Sequence, residues 1–188
     1  MNKDNIEIWP LEIARIEHKF SPRLAYYLAY YLPKKSYVYD YGCGLGTYLR
    51  YLSAKKYHCT GYEGTKGIKK ISDFENIIEA DLTKPIQVPH KGSVICLEVA
   101  EHIKPENETA FIDNIVNAVD KYLILSWAVP GQGGTGHHNE RDSAYVIDLF
   151  AKHGFRLDKI KTSTMRHRAG LDLWWFKNSI YFFEKKQA

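Results

Sequence analysis

Two carboxylates and an imidazole lie close together in the run Cys96-Leu97-Glu98-Val99-Ala100-Glu101-His102-Ile103. On a helical turn, positions three and four apart share a face. Glu98, Glu101 and His102 therefore converge if a helix begins here. Such a set suits a hard or borderline divalent ion, Mn2+ or Mg2+, with coordination positions left open. No cysteine takes part, which argues against zinc. The alternative is a capping and salt-bridge cluster at a helix start. A second group of candidates is His137 and His138, in Gly131-Gln132-Gly133-Gly134-Thr135-Gly136-His137-His138-Asn139. Four glycines and paired histidines beside a strand end make a segment able to close over a substrate.

A different chemistry is written in Val38-Tyr39-Asp40-Tyr41-Gly42-Cys43-Gly44-Leu45-Gly46. A strand ends in an acid and enters a glycine-rich turn with a helix pattern directly after. Glycine permits positive φ and close approach of backbone to a small ligand, and the helix N-terminus offers N–H groups to an anion. The dinucleotide fingerprint is G-x-G-x-x-G; here Gly42, Gly44 and Gly46 run G-x-G-x-G after Asp40. Glu63 ends the next strand, 23 residues after Asp40. An acid roughly 20 residues past such a turn is where a ribose diol is gripped. Asp81, followed by Leu82, ends the third strand.

These groups need elements to hold them. Ser21-Pro22 reads as a helix start, serine as N-cap and proline at the first position, and the helix runs to Leu32. Strands are then expected at 37–41, 57–62, 76–79, 93–97, 121–127, 155–164 and 178–184, and helices at 46–55, 65–71, 106–119 and 141–153. Short β-branched and aromatic runs separated by amphipathic helices predict an α/β fold, a Rossmann-like, doubly wound, seven-stranded and mostly parallel sheet. No helix is expected between the last two strands, so they should form an antiparallel hairpin at the edge. In such open sheets ligands bind beyond the carboxyl ends of the strands. That gathers Asp40, the glycine turn, Glu63, Asp81, Leu82 and Leu97 around one crevice.

The 188 residues fit one domain, with a helical cap over 1–35 and a core over 36–188. Hydrophobic residues are 45% and charged residues 26%, an ordinary globular balance that needs no staples. No apolar run reaches the length of a membrane span, and residues 1–20 lack the apolar stretch of a signal peptide. Cys43, Cys59 and Cys96 have no metal-type spacing, so reduced, buried thiols in a cytoplasmic protein are expected. A net charge of +4 is too small to argue for nucleic acid. Fourteen tyrosines and four tryptophans exceed what such a core needs, so some rings should touch substrate. Tyr26, Tyr27, Tyr30 and Tyr31 are candidates on the N-terminal helix, two of them as simple packing. The connection Met165 to Leu171, followed by Trp174-Trp175-Phe176, is polar, basic and aromatic. It could receive a phosphate or nucleotide sugar, or be a solvated hairpin with its tryptophans tucked under.

The acid-then-G-x-G-x-G turn, with acids at the next two strand ends, resembles motif I and its companions in class I S-adenosylmethionine-dependent methyltransferases. The resemblance runs from about residue 36 to the end and includes the antiparallel close of the sheet. It implies that Asp40, Gly42, Gly44 and Gly46 lie under the methionine end of the donor and that Glu63 holds the ribose. Asp81 would accept from the adenine amino group, with Leu82 on the ring and Leu97 in the same pocket. The Glu-x-x-Glu-His run is similar to that of metal-dependent 2′-O-methyltransferases of small RNA 3′ ends and O-methyltransferases of ubiquinone synthesis. It implies a metal on Glu98, Glu101, His102 and a distal histidine, His137, with His138 as supporting group or general base. The order of those last two stays open. The loop at 131–137 and the Trp-Trp-Phe-x-Asn-Ser segment also resemble small glycan-modifying methyltransferases. One departure is Gly92-Ser93, where many relatives carry an acid before the fourth strand.

Methyl transfer from a sulfonium is an in-line displacement needing alignment and an acceptor lone pair. Thiols and amines supply one near neutral pH; a sugar hydroxyl does so only if a metal lowers its pKa and a histidine takes the proton. The first reading is therefore a metal-assisted O-methyltransferase acting on a sugar hydroxyl, in a glycan or an activated sugar. The alternatives are an RNA 2′-O-methyltransferase, a metal-independent enzyme for phenol- or quinone-type small molecules, and a non-catalytic S-adenosylmethionine-binding or partner-binding protein.

Overall fold

The computed structural model describes residues 9–187. The first eight residues of the expected cap, which are also part of the segment inspected for a signal peptide, lie outside the described residues. Helix α1 (Leu11–Glu17) precedes α2 (Pro22–Tyr31), which begins as expected: the Ser21 hydroxyl accepts from the Leu24 amide at 3.0 Å, with Pro22 at the first helical position. The remaining elements are β1 (Tyr37–Tyr41), α3 (Thr47–Ser53), β2 (His58–Glu63), β3 (Ile77–Glu79), β4 (Gly92–Cys96), α4 (Glu108–Ala118), β5 (Val119–Ser126), α5 (Ser143–Lys152), β6 (Phe155–Leu157), α6 (Lys159–Ala169), α7 (Phe176–Ser179) and β7 (Ile180–Lys185).

The seven strands form one sheet in the order β3-β2-β1-β4-β5-β7-β6, parallel except that β7 runs antiparallel to both its neighbours. Side chains alternate across it, as the period of two demands. Ile95, Ile124 and Phe182 face the layer of α2, α3 and α6, with Leu24, Leu49 and Met165. Val94, Leu123, Leu125 and Phe183 face the layer of α4 and α5, with Phe111 and Phe150. No helix among the described residues is long and apolar enough to cross a membrane.

Four expectations change. The helix expected over 65–71 is only a 3-10 turn, Ile68–Lys70. The segment 155–164 is a strand only to Leu157; Asp158 then caps α6, its carboxylate accepting from the Lys161 amide at 2.9 Å. The last two strands are therefore paired and antiparallel at the edge, but joined through α6 and α7 rather than by a hairpin. Tyr26 and Tyr30 are exposed, while Tyr27 and Tyr31 pack on the core, because α2 lies against α6 and α3 and not over the strand ends. Gly92 sits where β4 crosses Tyr37 so closely that a Cβ would lie 2.5 Å from the Tyr37 carbonyl oxygen. Gly92 therefore has no room for a side chain.

Candidate active site

The strand order reverses between β1 and β4, and a crevice opens beyond their carboxyl ends, as the rule for doubly wound sheets requires. It is a cavity of about 510 Å³, within the size range of small-molecule sites. Asp40, Gly42, Glu63, Asp81, Leu82, Leu97, Glu98, Glu101, His102 and His137 all line it. Gly44 and Gly46 belong to the same turn without lining the cavity, and His138 lies outside the lining.

The turn is built from within. Gly42, Gly44 and Gly46 have φ of 79°, 55° and 71°, a region that side chains rarely tolerate. The amides of Gly42 and Cys43 donate to the Tyr62 carbonyl (2.7 and 3.2 Å), that of Gly44 to a Glu63 carboxylate oxygen (2.8 Å), and that of Gly46 to the Cys43 carbonyl (2.9 Å). These four amides are committed inside the turn; the N–H groups expected for an anion are those of the helix start, which begins after them at Thr47. Glu63 also accepts from the Thr65 amide at 2.9 Å, so one carboxylate ties the first two strand ends together. Asp40 is 3% exposed, and burial, with the Glu63 charge adding, pushes its carboxyl up to about 8. Asp81 is exposed, and the Thr83 hydroxyl and amide hold its carboxylate below the usual range.

On the acceptor side, Glu101, His102 and His137 bring one ligand atom each to within 4.8 Å of one another. Glu101 is fully buried; neither carboxylate oxygen makes a hydrogen bond of ordinary geometry, and the nearby Glu101 and Ala128 amides offset only part of the cost. Burial, and then the Glu98 charge, push its carboxyl well up. His102 Nδ1 donates to the Gly136 carbonyl at 3.0 Å, and His137 Nδ1 to Glu140 Oε1 at 2.9 Å. Each bond occupies Nδ1 and leaves Nε2 for another partner. Burial, reinforced by His137, pushes His102 down to about 4, so its imidazole is neutral at pH 7.

Glu98 stands outside this trio. One oxygen accepts from Gln132 Nε2 at 2.9 Å and the other from the Ser179 hydroxyl at 3.2 Å. Its φ of 54° is a left-handed conformation unusual for a side-chain-bearing residue. The expected shared helical face is absent because only Ala100–His102 makes a short 3-10 turn, with Glu98 preceding it. His138 has a buried, unpartnered Nε2, and its amide donates to the Glu101 carbonyl.

Sequence reasoning missed three participants. Glu140 accepts from the Gly131 and Gly133 amides (2.7 and 2.8 Å) as well as from His137, so it folds the loop and orients the ring at once. Its spacing of three from His137 was the available signal. Trp9 and His18 come over the cavity from the chain around α1; Trp9 meets the His18 ring at 5.5 Å and the His102 ring at 5.2 Å. Nothing local marks either residue. Leu173, Trp174 and Trp175 complete the rim, while Arg166 turns away to donate to the Ile180 carbonyl.

No family model and no curated protein matches the sequence. Solved structures do match. A sugar N-methyltransferase from Streptoalloteichus aligns with a TM-score of 0.70 at 11% identity, over 94% of this chain and 92% of that one. A TehB-like S-adenosylmethionine-dependent methyltransferase from Corynebacterium glutamicum aligns with 0.65 at 12%, over 94% and 93%. The magnesium protoporphyrin IX methyltransferase of Synechocystis, with S-adenosylhomocysteine bound, aligns with 0.59 at 20%, over 87% and 80%. The seven-stranded mixed sheet, closed by an antiparallel strand and opening its crevice at the β1–β4 reversal, is the Rossmann-like fold of these methyltransferases.

Proposed function

We propose that this chain is an S-adenosylmethionine-dependent O-methyltransferase acting on a sugar hydroxyl, in a glycan or an activated sugar, with Mn2+ or Mg2+ held by Glu101, His102 and His137. One observation carries the metal assignment. Glu101 is fully buried beside the cavity with neither oxygen in a full hydrogen bond, and two histidines bring it nitrogens left free by their own hydrogen bonds. Buried polar atoms without partners are rare, and this donor set fits a borderline divalent ion. Bound there, such an ion lowers the pKa of an alcohol, which a sugar acceptor needs and an amine does not.

The donor reading rests on the glycine turn and three acids around one cavity. Asp40 would meet the ammonium of the methionine end. Glu63 keeps acceptor positions for a ribose diol beyond its two backbone bonds. Asp81 and Leu82 would meet the adenine. The acceptor oxygen bonds to the methyl carbon as the carbon–sulfur bond breaks, and that electron pair stays on sulfur. Glu98, which lines the cavity outside the trio, would take the hydroxyl proton. Trp174 and Trp175 offer aromatic faces suited to the apolar faces of a sugar ring. In this reading the N-terminal segment caps the core over 36–188, and the three free, buried cysteines suit a reducing cytoplasmic setting.

The test combines binding with turnover. Titrate Mn2+ into the protein with S-adenosylhomocysteine present, then assay sugar nucleotides, glycosides, RNA and phenols with and without EDTA. The expected result is one Mn2+ bound, lost in His102→Ala, and EDTA-sensitive methylation of a sugar. EDTA-resistant methylation of a phenol would replace this reading with a metal-independent one, and turnover on RNA alone would move the acceptor to a ribose 2′-hydroxyl.

A further inference from the structure

The base-binding end of the proposed donor site lies outside the sheet. The last bond along β3 runs from the Ala80 amide to the Glu63 carbonyl at 2.8 Å. Beyond it Asp81, Leu82 and Thr83 line the cavity from a segment that belongs to no strand. Asp81 is exposed, yet half of its carboxylate is tied down. Oδ1 accepts from the Thr83 hydroxyl at 2.6 Å and the Thr83 amide at 2.9 Å, while no hydrogen bond engages Oδ2 among the described residues. Those bonds orient the carboxylate within its own turn. They do not place the turn on the protein.

One side chain does. Among the described residues, three hydrogen bonds tie residues 81–86 to another part of the chain, and all three are made by Asn114 of α4. Its Nδ2 donates to the Leu82 and Lys84 carbonyls, both at 2.8 Å, and its Oδ1 accepts from the Ile86 amide at 2.8 Å. Two carbonyls and one N–H as partners decide which way the side-chain amide points, and both of its N–H groups are used. Asn114 is 4% exposed and does not line the cavity, while Leu82 joins Phe111, Ile112 and Ile115 of α4 in one buried cluster. Such a clamp matters to a base. Adenine carries hydrogens on the C6 amino group and none on N1; hypoxanthine, with oxygen at C6, carries its hydrogen on N1. A carboxylate free to shift by one ring position follows the hydrogen from one base to the other. Held in place, it accepts from the amino group and repels the oxygen. We infer that Asn114 sets the base specificity of the donor pocket, as a positioning residue that holds Asp81 on the adenine amino group through the 82–86 segment. The inference rests on the donor reading given above and adds to it a residue remote from the ligand.

Ligands that differ only at that edge of the base test it. Measure by calorimetry the affinity of the protein for S-adenosylhomocysteine and for S-inosylhomocysteine. Wild type should prefer the first by at least about a hundredfold, as a site built around one hydrogen bond rejects the analogue that lacks it. Asn114→Ala should cut that preference by about tenfold, because the loosened carboxylate can follow the hydrogen to N1. Loss of stability alone would weaken both ligands together and leave their ratio unchanged. Should Asn114→Ala not fold, Asn114→Ser keeps a hydroxyl for one of the two carbonyls and should give a smaller drop in the same ratio; a melting curve on each variant checks the fold. An unchanged ratio in a folded variant would overturn the assignment and leave Asn114 as packing support. Equal affinity of wild type for the two ligands would overturn it too, with the donor reading intact. If wild type binds neither, the donor reading itself falls and this inference with it.

Discussion

Replacing Asp40 by asparagine tests the electrostatics of the pocket without touching its shape. Asp40 is buried, no hydrogen bond engages its carboxyl among the described residues, and burial beside Glu63 pushes it up to about 8. In the unfolded chain the same group titrates near 3.8. Between those values the folded protein keeps a proton that the unfolded chain has lost. Stability therefore falls as pH rises from about 4 to about 8 and levels off above, since proton uptake favours the state with the higher pKa. Each unit of separation is worth about 1.4 kcal/mol, so the cost is on the order of 2 kcal/mol at pH 5 and 4 kcal/mol at pH 7. Wild type should lose roughly 2–3 kcal/mol between pH 5 and pH 7 that Asp40→Asn does not lose. The comparison of slopes matters, because a buried amide adds its own pH-independent cost of about 1–3 kcal/mol. Urea unfolding of the ligand-free protein at pH 5, 6, 7 and 8 gives both curves. The same variant should bind S-adenosylhomocysteine at least about tenfold more weakly, having lost the partner of the ammonium. Parallel pH profiles for the two proteins would refute the reasoning, since Asp40 would then be ionised in the fold at no cost.

Two further substitutions probe the acceptor side. Glu140→Gln keeps the size of the side chain but replaces an acceptor of three hydrogen bonds by an amide with one carbonyl oxygen; the Mn2+ affinity measured by calorimetry should fall by about 10- to 100-fold. Gly134→Ala would drive a Cβ into the His137 Nε2 edge without a left-handed backbone to strain. It should weaken Mn2+ binding while the melting temperature stays within about 2–4 °C of wild type, as the residue is exposed and in a loop.

What the chain carries locally, it shows locally. The short β-branched and aromatic runs of β1, β4 and β5, the serine–proline start of α2 and the three glycines after Asp40 are statements about neighbouring residues, and each appears where its pattern places it. Glu63 and Asp81 are legible because a parallel strand must end on the same side of the sheet as the one before it. The miss at 159–169 has a local cause too: α6 has almost no amphipathic pattern, and its polar face hides the helix until Asp158 is seen to cap it.

The site depends on contacts between distant segments, which only the tertiary structure decides. Glu101 and His102 meet His137 because β4 and β5 are neighbours and the loops leaving their ends share one rim. Glu98 was read with Glu101 and His102 on the strength of helical spacing. A left-handed residue and a 3-10 turn replaced that helix, and Gln132 and Ser179 took its oxygens. Trp9 and His18 reach the pocket from the far end of the sequence, where no pattern links them to Gly44 or His102. A carboxylate, an imidazole or a glycine can be read from the sequence as a type. Its partner is set by strand order and packing, because the free energy of such a contact comes from burial that many separate segments supply together.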